Sequence, residues 1–224
     1  MAGSWPGDLS VRSLSYSAVT TTRSRRRERS SNGAEGVLNA AIRTFAERGY
    51  HGTSVRDLAE AQGLTVAALY YHFATKLDVL VAIMSRAMDD IIRETEQARD
   101  AAAPDPVSQL RAMVRAHVLF HTQRQQESFV GNSELRSLEG EHLDAILARR
   151  DHEERMFRDV LERGVAEGVF TTDLPRDCAR AILAMCIQVS TWFRPDGSLT
   201  PEQVADRYER LTMQLVGATD RAAG

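Results

Sequence analysis

The chain has 224 residues, 43% of them hydrophobic, with 28 Lys/Arg against 31 Asp/Glu and a formal net charge of −3. That length and apolar content support one large or two modest domains with real cores, which excludes a disordered or fibrous chain. No apolar run approaches the roughly 20 residues that cross a bilayer, and the N-terminus lacks the apolar stretch of about 7–15 residues of a signal peptide; with two cysteines, a membrane protein and a disulfide scaffold are both excluded and a cytoplasmic setting is expected.

Charge is unevenly divided. Residues 1–76 hold 10 Lys/Arg against 6 Asp/Glu, and residues 77–224 hold 18 against 25. The first part suits contact with phosphate and the second would be repelled by it.

Residues 1–31 are rich in Ser, Thr and Arg, with Trp5, Leu9, Val11 and Leu14 in no lasting period. They are expected to form a disordered basic arm. Its run Arg23, Arg25, Arg26, Arg27 and Arg29 either follows phosphates or a minor groove, or is a solvated tail. Asn32 with Glu35 three residues on suggests a helix cap, and Leu38, Ala41, Ile42 and Phe45 recur at helical spacing up to Gly49. Ser54 and Asp57 form a second capping pair, before Val55, Leu58 and Ala59; Gly63 ends that helix. Thr65 caps the next, Val66 to Phe73, whose inner face is Leu69 and Phe73. Two short helices joined by a Gly turn over 54–73 are the sequence form of a helix-turn-helix, whose second helix enters the DNA major groove.

Thr75 and Asp78 begin a long fourth helix with the stripe Leu77, Leu80, Val81, Met84, Met88 and Ile91. It ends near Arg99, before the breaker Ala-Ala-Ala-Pro-Asp-Pro at 101–106, and the next helix opens at Pro106. Val107, Leu110, Val114, His117, Val118 and His121 mark its face. A helix is expected over Phe129 to Leu138, a long one through Leu143, Ile146, Met156, Phe157, Val160 and Val165 to Gly168, one from Pro175 carrying Cys178, Ile182, Met185, Val189 and Phe193, and a last one from Pro201. Cys178 and Cys186 share a helix eight residues apart, so they cannot pair with each other. The expected fold is all-α, with about nine to ten helices: a helix-turn-helix domain over 32–84 and a helical bundle over 85–224.

The segments Phe45-Ala46-Glu47-Arg48-Gly49-Tyr50, Thr53-Ser54-Val55-Arg56-Asp57-Leu58-Ala59 and Leu69-Tyr70-Tyr71-His72-Phe73, with Lys76-Leu77, resemble the tetracycline-repressor (TetR) family. The close match covers 34 to about 84, and the helical remainder fits the family's effector-binding and dimerisation domain. The resemblance implies that Arg56 faces guanine or a phosphate. Val66, Ala67 and Ala68 would meet the groove without a side-chain hydrogen bond, leaving room for DNA shape to contribute to specificity. Thr53, Ser54, Thr65, Tyr71, His72 and Lys76 would contact or approach the backbone, with capping an equal explanation for Ser54. Tyr70 either contacts DNA or packs in the core.

The same resemblance implies a homodimer through 144–167 and 175–193, hence a palindromic operator, and release by a small effector. His117, Phe120, His121, Phe129, Arg136, Met156, Trp192 and Phe193 are the candidate pocket residues. His117 and His121 are either a core pair or two ligands of a metal with no identifiable third; no metal and no cofactor is expected. Looser similarity of 133–138, 157–170 and 192–197 to actinobacterial repressors of lipid and steroid breakdown implies an acyl-CoA or other lipid-derived effector, with Arg136, Arg149, Arg150 or Arg155 as anion partners. The rival readings are a drug-sensing repressor of an efflux pump and a small helical enzyme. No Gly-x-Ser-x-Gly, phosphate loop or Cys-x-x-Cys supports the last.

Overall fold

The computed structural model describes residues 17–218, with side chains from Gly33. Residues 1–16, with Trp5, Leu9, Val11 and Leu14, and the side chains of the arginine run lie outside the described part. Nine α-helices and no strand occur among the described residues: α1 (Ser17–Arg48), α2 (Val55–Ala61), α3 (Val66–His72), α4 (Lys76–Ala101), α5 (Pro106–Gln123), α6 (Gln125–Ser133), α7 (Gly140–Ala166), α8 (Pro175–Trp192) and α9 (Pro201–Leu215).

The expected caps form where the chain reverses. Ser54 and Asp57 make a reciprocal capping box on α2, Thr65 accepts from the Ala68 amide on α3, and Thr75 and Asp78 make a second box on α4. Gly63 sits at φ 68 between α2 and α3, a left-handed conformation that would strain most other residues.

Two boundaries differ from expectation. The first helix begins at Ser17, so Asn32 lies inside it and the expected Asn32–Glu35 cap is absent. Residues 17–31 contain neither Pro nor Gly, so nothing in them ends a helix. Glu35 turns instead to Arg86, at 2.7 Å. The expected helix over 129–138 begins earlier, at Gln125, and gives way after Ser133 to a 3-10 turn at Leu135–Ser137. Only Arg124 separates α5 from α6. Its guanidinium bonds Asp90 and Glu94 on α4, which holds the break in place.

Two cores result. One joins α1–α4 through Val37, Phe45, Leu58, Leu69, Leu80 and Ile83, and is completed by Val130, Leu138 and Ile146 from α6, the segment after the 3-10 turn and α7. The other packs α5, α7, α8 and α9 around Leu110, Val114, Phe157, Leu161, Ile182 and Val189. The helix-turn-helix core is therefore closed by residues from the second half of the chain. No single described helix is long and apolar enough to cross a membrane; α3 and α4 would pass only as a bent pair, and much of their apolar surface is in the first core.

Candidate DNA-binding surface and effector cavity

α3 is anchored by one side chain, Leu69, which is fully buried. Much of its surface projects outward: Val66, Ala67, Tyr70 and Tyr71 are exposed, Tyr71 by 67%, while Ala68 and His72 are half-buried. An apolar and aromatic helix face in water is costly unless a partner covers it. Tyr70 is 50% exposed and so is not a core residue. Arg56 is exposed on the neighbouring α2, beside Asp57. Hydrogen bonds from the Ser54 hydroxyl and amide hold the Asp57 carboxyl below the usual carboxylate range, helped by Arg48 and Arg56.

Three expected contacts have other roles here. Thr53 is buried, and its hydroxyl donates to the Gly49 carbonyl at 2.8 Å. His72 is half-buried against α1, where a Cβ on Gly33 would stand 2.7 Å from its Nε2. Glycine thus permits the close approach of α3 to α1. Lys76, the single lysine of the chain, turns inward: its Nζ donates to the carbonyls of Tyr50 (2.7 Å) and Thr53 (2.8 Å) and lies 4.1 Å from the Tyr50 ring centre. Burial lowers its pKa, with Glu134 opposing the shift. Lys76 therefore braces the turn before α2. Its expected role as an open phosphate contact gives way to this one, because two of its three N–H donors are used internally.

α6 grips this half of the molecule at both ends. Near its start, buried Glu127 accepts from Arg86 Nε and Nη2, both at 3.2 Å, and the same guanidinium reaches Glu35 on α1. Just beyond its end, buried Glu134 accepts from the Tyr50 amide at 3.3 Å and from Ser137 Oγ at 2.9 Å. Sequence reasoning missed Arg86, Glu127 and Glu134. The available signal was two glutamates seven residues apart, one in the first turn of a short helix and one at its C-terminal boundary.

Between α4, α5, α6 and α7 lies a cavity of about 40 Å³, room for a few water molecules. Its apolar wall is Met84, Ala87, Met88 and Ile91 of α4, with Phe120 and Ile146; its polar side holds His121, Glu127, Ser128, Asn132 and Arg150. A larger, open, polar cleft adjoins it and shares Glu127, with Arg43 and Arg124 on its rim.

Of the expected pocket residues, Phe120 and His121 line the cavity and His117 stands behind, its ring 4.9 Å from that of His121. Arg150 also lines it, among the candidate anion partners. The others do not. Met156 and Phe193 are packed in the second core. Phe129 is exposed because α6 turns Ser128 and Gly131 toward the cavity and Val130 into the first core. Trp192 is 42% exposed and stacks on Tyr208, and Arg136 is exposed on the 3-10 turn. Arg149 pairs with Asp89 at 2.7 Å, and Arg155 is exposed on α7.

His117 Nε2 is 2.8 Å from Glu153 Oε1, both groups buried. No group of three or more His, Cys, Asp or Glu among the described residues could hold a metal ion. Burial pushes the His121 pKa well down, aided by His117 and Arg150, so this imidazole is neutral at pH 7. Burial also pushes the Cys186 thiol up. Neither it nor Cys178 forms a disulfide.

Residues 37–83 match the family described as bacterial regulatory proteins, tetR family, and residues 103–216 match the tetracyclin repressor-like C-terminal domain. The HTH-type transcriptional repressor KstR2 of Mycobacterium tuberculosis is 30% identical over 185 residues, which cover 82% of this chain and 91% of that one. Among solved structures, a regulatory protein of the tetR family from Rhodococcus RHA1 superposes with a TM-score of 0.79 at 30% identity, over 84% of this chain and 98% of that one. AibR in complex with isovaleryl coenzyme A and operator DNA gives 0.75 at 30% identity, over 84% and 100%.

Proposed function

This chain belongs to the TetR family of bacterial transcriptional regulators, and from that premise we propose that it is a cytoplasmic, dimeric repressor released from a palindromic operator by a hydrophobic acyl thioester. It is a DNA-binding regulator and not an enzyme. The observation that carries the finer reading is that α6 both lines the cavity, through Glu127, Ser128 and Asn132, and leads directly to Glu134, which holds the Tyr50 amide before the helix-turn-helix. A ligand that enlarges the cavity must displace α6 or α4, and each leads to the reading head. Release then requires that the ligand bind the displaced state better than the DNA-bound one.

In this reading the head, residues 32–84, contacts bases through Arg56 and through close approach of Val66, Ala67 and Ala68, with Tyr70 and Tyr71 toward the phosphates. The remainder, 85–224, takes the effector and dimerises. Support for the dimer comes from α8, which leaves Ala181, Ala184, Gln188, Thr191 and Trp192 exposed along one side, and from α7, which exposes Leu147, Ala148, Asp151 and Arg155. Two copies of this pair would form a four-helix seam. The acyl group fits the apolar wall of Met84, Met88 and Ile91. A whole coenzyme A is far larger than the cavity, so its polar part would lie in the cleft beside Arg43. The solved complex of AibR with isovaleryl coenzyme A supports a thioester as the ligand class.

Mobility-shift titration with the DNA upstream of the protein's own gene tests this. Salt-sensitive, sequence-selective binding by a dimer, relieved by a medium-chain acyl-CoA and not by free coenzyme A, is the expected result. Binding that is indifferent to sequence would overturn the operator reading. Replacement Arg56→Ala should cost about 1–3 kcal/mol on the preferred base pair and little on others, the signature of direct readout. An equal loss on all sequences would make Arg56 a phosphate contact.

A further inference from the structure

The helix-turn-helix and its supporting helix turns carry no net charge of their own. Residues 32–76 hold four Lys/Arg against four Asp/Glu, whereas 17–31 hold five Arg against one Glu. From residue 32 onward the chain has 22 Lys/Arg against 29 Asp/Glu. Nor are the cations of 32–76 all open to DNA. Lys76 is engaged by the Tyr50 and Thr53 carbonyls, Arg48 lies 3.9 Å from Asp57, and Arg43 stands on the rim of the cleft beside α5 and α6. Arg56 remains, exposed on α2. Affinity for duplex DNA comes in large part from cations that neutralise phosphates, and one such arginine per head is little against an acidic remainder.

We propose that the N-terminal half of α1, residues 17–31, is a second DNA-contacting element: a basic helical arm that lies along the phosphate backbone beside the operator half-site and supplies affinity without regard to sequence. The proposal rests on the operator reading of the head. α1 runs unbroken from Ser17 to Arg48, so the arm is continuous with the helix that supports α2 and α3. It leaves the head at Gly33, which packs against His72, the last residue of α3 and the neighbour of exposed Tyr71. The arm therefore departs beside the helix that enters the groove. At about 1.5 Å per residue it is about 24 Å long, the length of roughly seven base pairs. At about 100° per residue, positions 23, 25, 26, 27 and 29 share a little more than half of the helix circumference, and position 28, the one glutamate, falls in the other sector. That is a basic side and not an even scatter of charge. Phosphates suit it better than base edges, because an α-helix about 10–12 Å across does not fit a minor groove about 6 Å wide.

Fluorescence anisotropy across a salt series tests it, with the full chain on footprinted operator DNA and on a scrambled duplex. The comparison is the quintuple variant Arg23→Gln, Arg25→Gln, Arg26→Gln, Arg27→Gln and Arg29→Gln. Described core side chains begin at Val37, so this variant should keep the unfolding midpoint of the parent. At about 0.1 M salt it should bind both duplexes at least about a hundredfold more weakly, with the ratio between them unchanged. The slope of log K against log salt should fall by about 3.6 or more for a dimer, which corresponds to two phosphates per arm. Lysine at the same five positions keeps the charge and should restore both affinity and slope. Unchanged affinity and slope in the glutamine variant make the arm a solvated tail and overturn the proposal, as does a lysine variant that behaves like the glutamine one. A loss confined to the operator, or one that follows the A·T content of the flanks and vanishes when netropsin fills the minor groove, places the arm on bases and overturns it too. Should the native chain bind both duplexes alike, the operator reading falls, and the change of slope still decides the arm.

Discussion

The two polar clusters that flank α6 are built in opposite ways. Toward the reading head, the buried Glu127 and Glu134 carboxylates, the first of which also reaches the cavity wall, have donors, and Arg86 joins α4, α6 and α1 in one network. On the side of the cavity, His121 and Ser128 have none. A satisfied network fixes one arrangement of its helices, whereas an unsatisfied one gains free energy when a partner arrives. Under the proposed function, the contrast separates the part of the bundle that would transmit position from the part that would receive a ligand.

The largest test breaks the satisfied side. Removal of one partner of a buried ion pair leaves the other charge without compensation, at about 3–5 kcal/mol when both are fully enclosed. The Arg86 side chain retains 26% exposure, so Arg86→Ala should cost about 2–3 kcal/mol in urea unfolding at pH 7. The double variant with Glu127→Ala should lose less than the sum of the singles. Additive losses would mean that the network does not couple the helices.

The unsatisfied side has a pH signature. The folded-state pKa of His121 is depressed, first by burial and then by His117 and Arg150. The unfolded chain therefore takes up a proton below its ordinary pKa of about 6.5 while the folded chain does not. The contribution is present above that pH and is lost as pH falls, at a limiting slope of about 1.4 kcal/mol per unit, until the folded pKa is reached. His121→Gln should flatten that part of the profile. An unchanged slope in the variant would mean that His121 reaches water in the folded state.

How much of this was legible in the sequence follows from the reach of each interaction. Caps at Ser54, Thr65 and Thr75 bond a residue three positions on, so local spacing displays them. Leu58, Leu69 and Leu80 advertise their burial by helical period. The junction is different, because Arg86 meets Glu35 and Glu127 across 51 and 41 residues. No periodicity records that distance. The pocket was half legible for a related reason: α5 showed its inward face through His117, Phe120 and His121, but the rotation of the short α6 is set by the anchors at its ends. Phe129 was therefore expected inside, and Ser128 and Asn132 were overlooked. The start of α1 was missed because composition signals charge and polarity, while helix termination depends on particular breakers that 17–31 lack.

Lys76 sharpens the comparison at a smaller scale, since a surface cation and an internal brace give different salt dependences. If the ammonium bridges the Tyr50 and Thr53 carbonyls on DNA as it does here, Lys76→Met should destabilise the fold by about 1–2 kcal/mol. It should weaken binding to all sequences without altering the slope of log K against log salt. A direct phosphate contact predicts instead a slope smaller by about 0.9. Fluorescence anisotropy across a salt series separates the two.

The smallest effect concerns a cap that stands apart from both clusters. The Ser54 hydroxyl and the Asp57 carboxylate hold each other's backbone amides at 3.2 and 2.7 Å on an exposed turn. Ser54→Ala should cost about 0.5–1 kcal/mol, the range of an exposed N-cap. Because the Asp57 pKa is lowered by these bonds, its contribution is complete above the ordinary carboxylate pKa of about 4 and is lost as pH falls through the folded value. The cost of Ser54→Ala should therefore shrink in acid. A fold that loses as much from this substitution at pH 3 as at pH 7 would show that Ser54 stabilises α2 without Asp57, and the capping box would reduce to a single hydrogen bond.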